Sequence, residues 1–144
     1  MHFTIRPARR DEIVWVNSKY DEVGFVHSSV DKELIAIAEE GDVKLGLGRL
    51  VRVDGLHCEL GGMYVFDNAR GKGIARSLVN YLIDHRPPNN KVYCIPFKHL
   101  ADFYQSCGFV PVDSFSEVPQ AVVEKYRWCD KTYSHGSLLY VLEP

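Results

Sequence analysis

Residues 57–86 read HCELGGMYVFDNARGKGIARSLVNYLIDHR, and this stretch decides the fold. Its first part, His57–Phe66, predicts a strand with a Gly61-Gly62 pair. Because glycine weakens a strand interior, the pair indicates a bulge or a close backbone approach. After a short turn, apolar residues recur one and four positions apart from Ile74 onwards, which is the period of an amphipathic helix. Two prolines after Arg86 end that helix. The stretch therefore predicts a strand, a glycine-containing turn and a helix packed against a sheet.

The glycine turn, Arg70–Gly73, is the part of this stretch that points to chemistry. Two glycines and two cations precede a helix N-terminus, whose free backbone N–H groups and positive dipole end favour a phosphate group. A nucleotide P-loop needs Ser or Thr after Lys72, where Gly73 stands, and the dinucleotide pattern G-x-G-x-x-G fails at Arg76. A solvated turn whose glycines merely permit positive φ is the alternative to a phosphate site.

The rest of the chain alternates strands and helices around this stretch. The predicted strands are His2–Pro7, Glu33–Glu39, Val43–Val53, His57–Phe66, Lys91–Ile95, Phe109–Val112 and Ser137–Leu142. The predicted helices are Arg10–Tyr20, Ile74–Arg86, Pro96–Cys107 and Pro119–Cys129. Asp21–Lys32 has no firm period and predicts a loop or a short helical turn, whereas Asp54-Gly55 between two apolar strands predicts a hairpin. This order predicts a mixed α/β sheet with helices on both faces.

Composition narrows the class of protein. A chain of 144 residues that is 46% hydrophobic predicts one domain, 1–144. The net charge of −2 argues against nucleic acid as a partner, and the absence of a signal core or a long apolar run argues against a membrane. The cysteines have neither a CxxC pair nor a histidine at metal-ligand spacing, so we expect no metal and free buried thiols in a reducing cytoplasm. They are Cys58, Cys94, Cys107 and Cys129.

Two motifs carry a resemblance to a known family. The pattern R-x-x-G-x-A at Arg70, Gly73 and Ala75 resembles the pyrophosphate-binding segment of the GNAT superfamily of acyl-CoA N-acyltransferases. Phe103-Tyr104 followed by Gly108-Phe109 resembles the second marker of that superfamily. The resemblance covers residues 3–112 and implies a mostly antiparallel sheet of about six or seven strands flanked by helices. It also implies that the fourth and fifth strands splay apart at a bulge in the fourth strand.

The resemblance implies acetyl-CoA as the cofactor and a set of residues that bind it. In the family, backbone groups at the end of the fourth strand pair with the pantetheine arm, and the glycine turn holds the pyrophosphate. The residues so implied are Met63, Tyr64, Val65, Arg70, Gly71, Lys72, Gly73, Ile74 and Ala75. Many relatives carry asparagine seven residues before the tyrosine of the second marker, and here Phe97 stands at that position.

Two side chains are the predicted catalytic residues. Glu59 is the carboxylate inside the apolar fourth strand, and partial burial would raise its pKa towards that of a general base. A solvent-facing Glu59 with His57 as the base is the alternative. Tyr104 matches the general-acid position of the family, although its place on the apolar stripe of a helix also suits a core tyrosine. A nucleophilic Cys94 or Cys107 lacks a convincing base.

The resemblance implies an N-acetyltransferase that moves the acetyl group directly to a primary amine in a ternary complex. The acceptor, a small molecule or a peptide, would contact Asp21–Val30 and Ser114–His135, which are rich in aromatic residues and mixed charge. A binding module that keeps the fold without turnover stays open, and the missing Ser or Thr after Lys72 disfavours a nucleotide hydrolase. The resemblance also leaves a homodimer open.

Overall fold

The computed structural model describes residues 2–144, which form seven strands and four α-helices. The strands are β1 Thr4–Pro7, β2 Glu33–Glu40, β3 Val43–Arg52, β4 His57–Val65, β5 Lys91–Cys94, β6 Val110–Pro111 and β7 Tyr140–Leu142. The helices are α1 Ile13–Val23, α2 Ile74–Asp84, α3 Ala101–Ser106 and α4 Gln120–Thr132. Short 3-10 turns lie at Arg10–Glu12, Asp67–Ala69, Lys98–Leu100 and Phe115–Glu117.

The strands follow the hydrogen-bonded order β1-β2-β3-β4-β5-β7-β6. β4 and β5 run parallel, whereas β1–β2, β2–β3, β5–β7 and β6–β7 are antiparallel. The predicted mixed, mostly antiparallel sheet flanked by helices is therefore confirmed. Two compact units make up the chain: the first combines residues up to Val51 with Gly62–His85, and the second combines Arg52–Gly61 with Arg86–Pro144. β4 passes through both.

Helices α1 and α2 build the core of the first unit. From α1, the buried side chains of Val16 and Tyr20 pack with Ile37 and Leu47 of β2 and β3. α2 packs against β1 and β2, and four of the six residues of its predicted apolar stripe are buried. They are Ile74, Leu78, Val79 and Leu82, whereas Ala75 and Ile83 are half-buried.

Helix α1 is shifted along the chain from its predicted position of Arg10–Tyr20. The segment Arg10–Glu12 is a 3-10 turn, and the Glu12 carboxylate accepts a hydrogen bond of 2.8 Å from the Arg9 backbone N–H at its start. The α-helix then continues three residues beyond Tyr20, into the predicted loop, until Gly24 adopts φ 73° and ends it. The C-terminal end of α1 is therefore set by Gly24, which tolerates the left-handed region. The loss of the apolar period after Tyr20 does not set it.

Strand β4 makes the close approach that the Gly61-Gly62 pair predicts. Gly62 has φ 60°, and the Tyr20 hydroxyl donates a hydrogen bond of 2.9 Å to its carbonyl oxygen. A Cβ added at Gly62 would lie 2.5 Å from the Tyr20 Oη and 2.9 Å from the Arg49 Nε. Burial raises the pKa of the Tyr20 phenol, so this hydroxyl stays protonated as a donor. Glycine is required here for both its conformation and its size.

An ion-pair network ties β1 to the start of the first helical segment. The Arg6 guanidinium donates two hydrogen bonds of 2.8 Å to the Glu12 carboxylate and one of 2.7 Å, through Nε, to Glu39 of β2. Glu12 is buried, and these bonds lower its pKa to about 2. Glu12 therefore stays ionised in the folded chain at neutral pH.

The second unit is organised by the parallel pairing of β4 with β5. The paired residues run from His57↔Lys91 to Leu60↔Cys94, and the register ends directly before Gly61. The predicted Asp54-Gly55 hairpin leads into this strand, with the Val53 N–H donating to the His57 carbonyl at 2.9 Å. α4 packs on β5 and β7 through a cluster of buried residues. That cluster contains Tyr93, Val122, Leu139 and Val141.

Candidate active site

The glycine turn has the backbone conformation that an anion site needs. Gly71 has φ 78° and Gly73 has φ 80°, so both lie in the left-handed region that favours glycine. Gly73 is the N-cap of α2, and among residues 2–144 no side chain caps that helix end. A Cβ added at either glycine would meet no described atom within 4 Å beyond its chain neighbours. The glycines therefore leave open space over a helix N-terminus whose N–H groups can receive an anion.

Arg70 and Lys72 provide the cations of the turn. The Arg70 guanidinium donates from Nε to the Val65 carbonyl at 3.2 Å and pairs with Asp67 at 3.2 Å, yet 65% of the side chain remains exposed. Lys72 is also exposed. The arginine is thus held at the end of β4 with most of its side chain exposed to solvent, and its bond to Val65 brings the strand end and the glycine turn together. Two exposed cations beside a strand end fit a pyrophosphate group.

The end of β4 lies close to two glycines of β3 that sequence reasoning missed. A Cβ at Gly46 of β3 would lie 2.8 Å from the Tyr64 carbonyl oxygen and 3.1 Å from the Val65 Cα, and one at Gly48 would meet the Met63 Sδ. The two β3 glycines therefore let the strands lie close at the three predicted cofactor-binding residues of β4. The alternation of β3 could have revealed them, because glycine inside a strand marks a close backbone approach.

One N–H group near Val65 is already in use. The Phe66 N–H donates to the Leu45 carbonyl of β3 at 3.0 Å. The Tyr64 hydroxyl donates to Glu22 at 3.0 Å, and its ring packs edge-on against Phe66 at 4.9 Å. The side chain of Tyr64 is therefore committed to the first unit, so any contact of this residue with a cofactor falls to its backbone.

Glu59 lies in the part of β4 that belongs to the second unit, and it is buried. Its residue exposure is 6%, so the alternative of a solvent-facing strand residue is wrong. The Lys125 ammonium of α4 donates to Glu59 Oε1 at 2.9 Å. A Cβ at Gly61 would lie 3.3 Å from Oε2, so the neighbouring glycine leaves room beside the carboxylate. Lys125 is 66 residues away in the chain, and no sequence signal identifies it as the partner.

His57, the alternative base, is bound at its Nδ1. That nitrogen lies 2.7 Å and 2.9 Å from the two carboxylate oxygens of Asp54, in the hairpin between β3 and β4. A hydrogen bond from the Leu56 backbone N–H is the main cause that lowers the pKa of Asp54, and the bond to His57 is the second. The Asp54 carboxylate is therefore ionised and orients the imidazole. The His57 ring also packs against Tyr93 at 5.9 Å. A histidine held by a carboxylate in this way keeps its other nitrogen available for proton transfer.

Tyr104 is a buried residue of α3, with 6% of its surface exposed. Its ring packs edge-on against Phe103 at 4.9 Å and against Phe109 at 6.0 Å, so the three aromatic rings of the second marker pack together. Burial raises the pKa of the phenol well above its ordinary value. The hydroxyl is therefore neutral at physiological pH. It is a hydrogen-bond donor that releases its proton only to a strong base.

The cysteines are free thiols, three buried and Cys107 half-buried. Burial raises the pKa of the Cys94 thiol, with smaller contributions of the same sign from Glu59 and Cys107. Cys94 in turn adds to the raised pKa of Tyr104. A thiol that resists ionisation is a poor nucleophile, which argues against covalent catalysis by Cys94. Within residues 2–144, no group of three or more His, Cys, Asp and Glu side chains could hold a metal ion.

Comparison with known proteins matches this fold and these motifs. A family profile described as the acetyltransferase (GNAT) domain matches residues 10–111. Among curated proteins, none matches the chain significantly. In the part of the chain that the structure describes, no helix has the length and apolar character needed to cross a membrane.

Several solved structures are similar. The N-acetylglutamate synthase from Neisseria gonorrhoeae, complexed with coenzyme A and N-acetyl-glutamate, has a TM-score of 0.75 at 18% identity, over 99% of this chain and 35% of that one. The chain thus spans about a third of the synthase. Rv2747 from Mycobacterium tuberculosis, in complex with CoA and NLQ, has a TM-score of 0.76 at 16% identity, over 98% and 99% of the two chains. A chimera of the spermidine N-acetyltransferase SpeG from Vibrio cholerae and hSSAT has a TM-score of 0.70 at 15% identity, over 99% and 96%. At these identities the likeness shows the fold.

Proposed function

This chain belongs to the GNAT acetyltransferase family, and from that premise we propose that it is an acetyl-CoA-dependent N-acetyltransferase whose acceptor is a primary amine. The observation that carries the proposal is the glycine turn. Two glycines in the left-handed region stand in open space at the N-terminus of an eleven-residue helix, and they alternate with two exposed cations. A solvated turn would need neither the helix end nor the cations.

The residues of the first unit have separate roles in holding coenzyme A. The N–H groups at the start of α2 bind the pyrophosphate, while Arg70 and Lys72 add charge-assisted contacts. The backbone of Met63, Tyr64 and Val65 pairs with the pantetheine arm as an added strand would. Since the Phe66 N–H is bonded to Leu45, we assign polarisation of the thioester oxygen to an N–H group of β4 and not to that of Phe66.

Acetyl-CoA supplies the acetyl group as a thioester, whose C–S bond breaks while the acceptor nitrogen forms the new C–N bond. The chain has to move two protons. The acceptor binds as an ammonium, so one proton must pass from its nitrogen to a base before the lone pair can attack. The departing thiolate must receive another. Proton transfer of this kind contributes typically about 10²–10⁴-fold to a rate.

Glu59 is the base that we propose, with the Asp54–His57 pair as the alternative. The Glu59 carboxylate is buried, so water does not compete for it, and it already holds an ammonium at 2.9 Å. An oxygen that accepts from an ammonium is in the correct geometry to take its proton. His57 is oriented by an ionised carboxylate, which also suits a base.

Tyr104 is the acid that we propose. Its raised pKa keeps the phenol protonated, so a proton is always present to be donated. The same burial makes the phenol a weaker acid than a free tyrosine, and a thiol has an ordinary pKa of about 8.5. Full transfer to a free thiolate is therefore uphill. The hydroxyl donates a hydrogen bond to the sulfur as the C–S bond breaks and charge develops there. The departing thiolate then takes its proton from water, and the proton that the base removed from the ammonium returns to the solvent.

Release of free thiol from acetyl-CoA, measured across a panel of primary amines, tests the proposed activity. We expect release that depends on both substrates. Calorimetric binding of coenzyme A without release for any amine would reject the enzyme and leave a binding module.

The cofactor assignment has its own test. Arg70→Ala with Lys72→Ala removes two charge-assisted contacts worth about 1.5–3 kcal/mol each, so coenzyme A should bind at least about tenfold more weakly. Gly73→Val should weaken binding further, because a β-branched residue resists a φ of 80°. Lys91→Ala is the matched control, since it removes a partly exposed cation of β5 that pairs with Glu143. Unchanged affinity in the folded turn variants would contradict the assignment.

A further inference from the structure

We propose that the Glu59 carboxylate is the binding subsite for the acceptor ammonium, and that Lys125 of α4 occupies this subsite until the acceptor displaces it. The inference rests on the proposed function in one respect, that the acceptor is an amine. It adds a named gating residue and a substrate class: acceptors that present an unhindered primary ammonium on a flexible alkyl stem.

The first observation is the asymmetry of the pair. The Glu59 side chain is 8% exposed and belongs to a strand, so the carboxylate cannot follow its partner into water. The Lys125 side chain is 37% exposed and extends from a helix surface, and its four single bonds let the ammonium rotate into solvent. One member of the pair is therefore fixed, while the other can leave.

The second observation concerns what the subsite accepts. A buried carboxylate without a cationic partner is costly, so Lys125 departs readily only when another cation takes its place. Burial raises the pKa of the Cys129 thiol, and Glu59 adds to that shift, so a neutral thiol lies beside the pair. Cys94 is likewise held neutral by burial. Because the buried carboxylate needs a cation as its partner, an acceptor that presents only a hydroxyl or a thiol cannot replace the ammonium.

The third observation concerns the stem. The lysine side chain is itself an n-butylammonium group, so the structure records an alkylammonium in the place where we put the acceptor. Trp128 lies three residues further along α4, on the same side of the helix as Lys125, and is 46% exposed. Its ring packs edge-on against Tyr133 at 5.7 Å. Apolar rings near the pair suit methylene groups better than a branched polar acceptor.

Displacement has a consequence for affinity. A ligand that binds a state populated with fraction f has its affinity weakened by the factor 1/f. If Lys125 occupies the subsite about nine-tenths of the time, the acceptor binds about tenfold more weakly than it would to an open carboxylate. A change that removes the lysine charge should then strengthen acceptor binding. A stronger guanidinium partner should weaken it.

The test is a titration with n-butylammonium, the analogue of the Lys125 side chain, followed by backbone NMR shifts, with 1-butanol as the neutral counterpart. Lys125→Met should bind n-butylammonium about tenfold more tightly than the parent. Lys125→Arg should bind it more weakly, because a guanidinium can hold the carboxylate with two bonds. Glu59→Gln should lose binding. Lys32→Met, which removes an exposed cation outside both predicted acceptor segments, should match the parent. If Lys125→Met does not fold, Lys125→Gln replaces it.

This binding measurement needs no turnover, so its outcome is separate from that of the proposed function. The inference would be overturned, and the enzyme activity left in place, if the parent acetylates an amine but Lys125→Met binds n-butylammonium more weakly than the parent. The same holds if Glu59→Gln binds n-butylammonium as the parent does, if no variant binds it, or if 1-butanol binds equally well. For an acetylated amine, Lys125→Met should lower KM by about the same tenfold factor, whereas a purely structural ion pair predicts a higher KM or a lower kcat in that variant.

Discussion

Gly62→Ala should be among the most damaging single methyl additions in this chain. At Gly62 the backbone has φ 60°, and the added Cβ would lie 2.5 Å from the Tyr20 Oη and 2.9 Å from the Arg49 Nε. Neither neighbour can move freely. The Tyr20 ring is fully buried under the Arg49 guanidinium, which itself donates to the Val26 carbonyl at 2.8 Å.

Three costs add up at this position. A non-glycine residue in the left-handed region costs about 1–2 kcal/mol. Overpacking by one methyl group costs about 1–3 kcal/mol. Displacing the Tyr20 hydroxyl from the Gly62 carbonyl costs about 0.5–1.5 kcal/mol. Together they lower the free energy of unfolding by about 3–6 kcal/mol, a large part of the roughly 5–15 kcal/mol that a typical domain has.

The neighbouring Gly61→Ala is the matched control. Gly61 is not in the positive-φ region, and a Cβ there would meet the Glu59 Oε2 at 3.3 Å. We expect a change below about 1 kcal/mol. Equilibrium urea unfolding of both variants gives the comparison. Tyr20→Phe should be destabilising in the parent and neutral or stabilising in Gly62→Ala, because it removes the atom that the new methyl group meets. Equal stabilities for the two alanine variants would refute this account of the close approach at Gly62.

Three further predictions concern stability, chemistry and the cofactor strand. The pKa of Glu12 is lowered from 4.5 to about 2, so its contribution of roughly 3 kcal/mol to stability is present above pH 4.5 and is lost as the pH falls towards 2. Arg6→Met should flatten this acid dependence in urea unfolding at several pH values. Tyr104→Phe should lower kcat by about 10²–10⁴-fold with coenzyme A affinity unchanged, whereas intact turnover with a stability loss of about 1 kcal/mol would mark a core residue. Gly46→Ala, whose Cβ would lie 2.8 Å from the Tyr64 carbonyl, should weaken coenzyme A binding in calorimetry, and an unchanged affinity would separate β3 from the cofactor strand.

Local pattern was sufficient to predict the elements that carry the glycine turn. The apolar period of α2, the glycines at 71 and 73 and the hairpin at Asp54-Gly55 each follow from neighbours within one or two turns of chain. The mixed, mostly antiparallel sheet followed from these elements together with the family resemblance. Element ends were less predictable: α1 begins after a 3-10 turn, and its end depends on the conformation of Gly24.

Partners distant in sequence could not be predicted. The Glu59–Lys125 pair joins residues 66 positions apart, and the Tyr20–Gly62 bond joins residues 42 apart. In both cases the sequence around one residue gives no sign of its partner, because Lys125 lies on a mixed-charge helix and Tyr20 matches the apolar face of α1. Which side chain meets which depends on the packing of whole elements, and a single sequence does not record it.

Transfer of an isotopically labelled acetyl group tests the central claim most directly. The protein is incubated with labelled acetyl-CoA, first alone and then with each amine of the panel, and both the protein and the small molecules are examined by mass spectrometry. The account predicts a labelled N-acetyl amine in an amount equal to the thiol released, with the protein itself free of label before the amine is added. Label on a cysteine of the protein before amine addition would contradict direct transfer. Bound coenzyme A with no labelled amine from any member of the panel would contradict the activity itself.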